Sequence, residues 1–396
     1  MHSIRRSCLS ALRNPSGACV YADGSRRAFS RSVARSKGGL PVYLEPSSTE
    51  LSSLLANINS KVLLPGHLSR EQKKLVYQQK SRPKLETEPV EVTIGDVTLP
   101  LEHIDRNLLP SRWQSLKDVV RQSETTADWE NVVRVLEGLH SAGFAIKPQW
   151  QDLVVRKLNE NGHHALVLKA LQRVKATGLH LSNYSVTKRA LKGAHDRAAN
   201  AGWAKAETAK ALRYARQIVE LMEEEEHHAV SSRGKMAVEN DWRSKPYVIA
   251  APTELAAVAA QRHGGDVEIV KTLANRLVSA LKQDNFTESV DRIVVSNART
   301  EADFKNKSTQ TLALNDCCED LFELLTIWNA LKTSKSVLGA DMPLATEAAE
   351  FEDRIKTAVL AGIEGLPKLQ SRDGVDLRSS YPAYIRDQLK KVTDEA

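Results

Sequence analysis

A helical-hairpin pattern that returns after 35 residues constrains this chain more than any other feature. Residues 148 to 182 read as two short amphipathic helices joined at Gly162 and closed by Gly178. Trp150, Val154, Val155 and Leu158 form one apolar stripe, and Val167, Leu168, Leu171 and Val174 the other, at the spacing of a helix face. Gly162 and Gly178 fit helix ends, where a left-handed residue without a Cβ carries no penalty. A hairpin this small cannot bury both stripes alone, so it requires stacked neighbours.

The chain supplies them. In residues 113 to 147, Val119 and Val120 fall under Val154 and Val155, and Val132 and Val133 under Val167 and Leu168. Leu136 falls under Leu171, Leu139 under Val174 and Gly143 under Gly178. A looser copy begins at Asn183, with Tyr184, Val186, Leu191 and Gly202, followed by a longer helix from about Lys205. Three copies at one period predict an all-α fold, an α-solenoid of helical hairpins. The alternative is a helical bundle in which the spacing is accidental.

Charge separates the first 39 residues from the rest. Arg5, Arg6, Arg13, Arg26, Arg27, Arg31, Arg35 and Lys37 stand there against Asp23 alone, among many serines. Such an Arg-rich, acid-poor leader predicts a mitochondrial transit peptide over 1–39 and residence in the matrix. The string Arg27-Ala28-Phe29-Ser30 predicts cleavage after Phe29. A basic arm without a targeting role is the alternative. This leader carries the whole formal charge of +7, so the body is neutral. Within the body, residues 161–220 carry a local +8 and residues 301–396 a local −5. A basic stretch on the repeats attracts phosphate.

Punctuation divides the remainder. Residues 40–110 read as a partly ordered lead-in, with a short helix near Leu51 to Ile58 and a capping box at Ser69 and Gln72. Near 90–101, VEVTIGDVTLPL alternates about Gly95-Asp96 and predicts one small β-hairpin before the repeats. The repeats occupy 111–228, a loop 229–251, and a C-terminal helical domain 252–366, starting at Pro252. A tail, 367–396, keeps a short helix from Ala383 to Val392.

The unit at 148–182 resembles a pentatricopeptide repeat, through Gly162 between the helices, Val154-Val155, the run Val167, Leu171 and Val174, and Gly178 before the connecting loop. The resemblance covers 113 to 225. It implies an organellar RNA-binding protein acting in RNA maturation, stability or translation, or bound to the mitoribosome. That family reads bases through paired polar residues, and the matching pairs here are Lys117 with Lys147 and Asp152 with Ser182. These are not the usual hydrogen-bonding types, and only Thr187 in the third unit is. Lysines at such places contact phosphate and select no base. The candidate nucleic-acid-binding residues are therefore Lys117, Lys147, Arg156, Lys188, Arg189 and Lys192.

No phosphate loop, dinucleotide glycine pattern or nucleophile elbow occurs, so no catalytic residue, cofactor or small-molecule substrate is expected. The pairs His163-His164 and His227-His228 are adjacent in sequence and do not share a helix face, so no metal site is expected. No run approaches the ~20 apolar residues of a membrane span. Two functions remain: an RNA-associated factor of mitochondrial gene expression, or a protein-only adaptor holding a partner on its concave surface during respiratory-complex or mitoribosome assembly.

Overall fold

The computed structural model describes residues 38–88, 90–228, 241–283 and 286–369. The leader up to Lys37, most of the expected loop and the tail helix lie outside the described residues. Apart from one two-stranded hairpin, the described regular structure is helical.

Residues 38–48 form a strap without regular secondary structure that ends at Ser48, whose hydroxyl accepts from the Leu51 amide and caps α1 (Thr49–Asn57). This helix continues through a π-helical segment, Ile58–Leu63, into α2 (Leu64–His67). Leu51, Leu55, Ile58, Val62 and Leu63 are buried along it. At α3 (Arg70–Tyr77) the Ser69 hydroxyl accepts from Gln72 N–H and the Gln72 side chain accepts from Ser69 N–H, a complete capping box. α4 (Arg82–Thr87) leads to the hairpin of β1 (Glu91–Ile94) and β2 (Val97–Pro100), registered Ile94 to Val97 about a two-residue turn in which Gly95 has φ +63°.

Three helical hairpins follow: α5 (Arg112–Gln122) with α6 (Thr126–Ser141), α7 (Pro148–Glu160) with α8 (His164–Gln172) and α9 (Val174–Thr177), and α10 (Tyr184–Asn200) with α11 (Lys205–Leu221). Gly162 and Gly178 take φ of +77° and +65° at the ends of α7 and α9. The first helices begin at Arg112, Pro148 and Tyr184, at one fixed step, while the second helices are less regular. α8 and α9 are separated at Arg173, which leaves helical geometry at φ −113° and ψ 41°. Both helices of the third hairpin lengthen to 17 residues.

The C-terminal part comprises α12 (Pro246–His263), α13 (Val267–Gln283), α14 (Phe286–Asn297), α15 (Lys307–Leu338) and α16 (Ala345–Leu369). α12 begins at Pro246, inside the stretch read as loop, and encloses Pro252. Proline is tolerated at a first helical position because that N–H has no partner in the helix. Every residue from Pro246 to Val258 is buried, because α12 is covered by α10, α11, α13 and α15. A helix apolar all round is the pattern such a position demands. One apolar core runs from Leu40 through all three hairpins to Leu369.

The strap is tied to α6 by side chains spaced three apart on one helix face. Asp128 accepts from Ser47 N–H at 3.0 Å. Asn131 accepts from Leu44 N–H at 2.8 Å and donates to the Leu44 carbonyl at 3.0 Å. Arg134 donates to the Val42 carbonyl. Asp128 also accepts from the Thr125 amide and hydroxyl. Burial raises its pKa, but the hydrogen bonds from Ser47 and Thr125 outweigh this and hold it at about 2.

Candidate nucleic-acid interface

Helical geometry puts Ser185, Lys188, Arg189 and Lys192 on one face of α10, and that face meets α15. Lys188 pairs with Glu319 and with Glu323, the latter at 3.2 Å. The Arg189 guanidinium bridges Asp152 of α7, at 2.9 Å, and Glu319. Lys192 pairs with Asp196 and lies over the Phe322 ring, 4.9 Å from its centroid. The Lys188 and Arg189 side chains are only 13% and 11% exposed. Burial disfavours the Lys188 charge, but Glu323 and Glu319 overcome it and raise its pKa. Burial likewise raises Glu319, and Lys188 and Arg189 more than reverse the effect. For nearby Asp320 the compensation falls short: burial, then Glu323, pushes it up to about 6 against the opposing charge of Lys188.

Three of the six expected phosphate-binding cations thus hold α10 against α15. Glu319, which pairs with both Lys188 and Arg189, lies 130 residues downstream of Arg189, so the local +8 of the repeats and the local −5 of the C-terminal third meet inside the fold. Lys188, Arg189 and Lys192 are thus engaged by side chains of α15. Thr187, the one residue of base-reading type, is fully buried and donates to the Leu181 carbonyl at 2.7 Å. Asp152 accepts from Ser185 and Arg189.

A second buried charge site had no place among the expected residues. His195 is 1% exposed, with Nε2 3.4 Å from Glu254 Oε1 and Nδ1 3.6 Å from Asp196 Oδ1. Trp203 and Phe322 meet its ring edge to face at 5.4 and 5.7 Å. Burial lowers its pKa, but Glu254 and Asp196 outweigh this and raise it to about 9. With the folded pKa above the unfolded one, this contact stabilises fully below about pH 6.5 and is lost as pH rises through about 9. Its sequence signal was Glu254, the one charged residue in the mostly apolar run from Pro246 to Gln261.

The other three expected cations sit elsewhere. Arg156 pairs with Glu160 one turn along α7, at 3.1 Å. Lys117 and Lys147 are exposed. Lys117 lies over the Trp113 ring, 5.9 Å from its centroid, and Trp113 stacks on Trp150 at 5.5 Å with 15° between planes. Lys147 opens α7 three residues before Trp150. Arg112 Cζ lies over the Phe144 ring, 3.9 Å from its centroid. The starts of α5 and α7 therefore combine aromatic rings with exposed cations, a pairing the spacing of lysines alone did not reveal. Cys317 and Cys318 are free and buried, and burial raises both thiol pKa values. Among the described residues no three His, Cys, Asp or Glu side chains converge as metal ligands, and no helix is long and apolar enough to cross a membrane.

Comparison with known proteins assigns the chain differently from its repeat spacing. A family model described as mitochondrial ribosomal protein mS27 matches residues 27–381. The small ribosomal subunit protein mS27 of Neurospora crassa is 26% identical over 224 residues, covering 56% of this chain and 56% of that protein. The match thus spans about half of that relative's length. These findings correct the resemblance to pentatricopeptide repeats. Stacked hairpins of similar length share apolar spacing and turn glycines whatever their ancestry, and here the split at Arg173 and the covering by α15 depart from an open array. The chain belongs to the mitochondrial ribosomal protein mS27 family.

Proposed function

We propose that this protein is a non-enzymatic component of the small subunit of the mitochondrial ribosome, in the matrix, where it packs against ribosomal RNA. The observation that carries this reading is the family match over residues 27–381. The Arg-rich, acid-poor leader supports the mitochondrial address independently. The exposed cations at the starts of α5 and α7 support an RNA-facing surface. A place on the ribosome takes precedence over maturation or stabilisation of free mRNA, because Lys188, Arg189 and Lys192 are engaged within the fold.

The second reading, a protein-only assembly adaptor, draws on the neutral body of the chain. Sedimentation of mitochondrial lysate separates the two. A stable constituent travels with the small subunit and with assembled ribosomes. An adaptor peaks with immature particles or with a respiratory-complex intermediate and is absent from assembled ribosomes. Recovery only at the top of the gradient contradicts both.

A further inference from the structure

From Arg112 to Arg197 the chain carries fourteen lysines and arginines, and eleven of them make ion pairs. Arg121 pairs with Asp118 and Arg134 with Glu130. Arg156 and Lys157 share Glu160. Lys169 reaches Glu130, Arg173 reaches Glu137 and Lys175 reaches Glu226. The α10 cations and Arg197 are paired as well. Only Arg112, Lys117 and Lys147 have no carboxylate partner among the described residues: Arg112 starts α5, Lys117 lies at its middle over Trp113, and Lys147 caps α7, close in sequence to Trp150 and Phe144.

Where cations serve the fold, this part of the chain supplies an acid; at one end it supplies rings instead. Trp150 is buried, with 7% exposure, beneath the partly exposed Trp113. The Arg112 guanidinium lies over the Phe144 ring. Aromatic faces and guanidinium planes are the surfaces on which unpaired bases stack, while lysines beside them neutralise the backbone. A duplex has no base face to offer such a platform except at its ends.

We propose that Trp113, with Arg112, Lys117 and Lys147, forms a binding site for an unpaired nucleotide segment of RNA: a base stacks on the Trp113–Arg112 surface and the two lysines hold the flanking phosphates. This site rests on the RNA-facing reading above and goes beyond it by naming the residues, the mode of contact and the preference for single-stranded RNA.

The test uses the full mature chain with two probes, a labelled oligouridine and a blunt RNA duplex. The parent binds oligouridine more tightly than duplex at low salt. Trp113→Ala weakens oligouridine binding by about 5- to 150-fold, the range for loss of one base–aromatic stack, and leaves duplex binding unchanged. Trp113→Tyr keeps most of the affinity, and its urea midpoint matches the parent, which separates stacking from folding. Changing Lys117 and Lys147 together to Gln lowers the salt slope for oligouridine by about 1.4, at roughly 0.7 per phosphate contact. Equal oligouridine affinity in parent and Trp113→Ala overturns the site. If that variant still sediments with the small subunit, the ribosomal reading stands without it. A parent that binds neither probe overturns both the site and direct RNA contact. Ultraviolet crosslinking of intact subunits that joins the Trp113 peptide to protein, and not to RNA, also overturns the site.

Discussion

Gly178 and Gly162 share a positive φ but differ in surroundings, and the difference can be measured. A Cβ on Gly178 would stand 2.7 Å from His140 Cδ2, whereas one on Gly162 meets nothing within 4 Å. Gly162→Val therefore costs only the left-handed strain, about 1–2 kcal/mol. Gly178→Val costs that and a displaced His140 ring, so its urea midpoint falls further. Equal midpoints for the two variants would contradict this difference. Both glycines were legible as helix ends from their place after apolar stripes. The His140 contact was not, because it joins two hairpins at positions no periodicity relates. His195 was illegible for a similar reason: nothing in the local sequence shows that Glu254 will be folded against it.

At the scale of elements, periodicity found the helices wherever one face is buried and the other is wet, as in α5, α7 and α10. It said less of α12, whose burial on all sides removes the contrast that a helical stripe needs. The β-hairpin was legible because Gly95 and Asp96 separate two alternating runs. The strap was read as part of a partly ordered lead-in, since its order comes from side chains of α6 between 81 and 92 residues away. Asn131 is the centre of that contact, pairing with both backbone groups of Leu44 as a neighbouring strand would. Asn131→Ala leaves these groups without a protein partner and destabilises by about 1–3 kcal/mol. Hydrogen exchange at Leu44 and Ser47 should accelerate far more in this variant than exchange in α12. Unchanged protection at Leu44 would show that the strap is held by its apolar contacts instead.

For the whole molecule, the two charge imbalances are complementary. Residues 161–220 and 301–396 look like separate basic and acidic surfaces in the sequence, and each suggests a partner. In the fold they are partners of each other through Lys188, Arg189, Glu319 and Glu323. The candidate site shifts accordingly, from a track along the first helices to the starts of α5 and α7. Lysine positions were legible; which lysines the fold itself consumes was not, since that depends on a helix more than a hundred residues later. Changing Lys188, Arg189 and Lys192 to Glu should thus act on stability, by opposing like charges across α10 and α15. The central claim, that these cations hold the molecule together, is tested most directly by a double-mutant cycle in urea with Lys188→Met and Glu319→Gln. Each single change should cost between the ~1 kcal/mol of an exposed pair and the ~3–5 kcal/mol of a buried one. The account predicts a coupling of about 1–3 kcal/mol; additive losses, with no coupling, would contradict it.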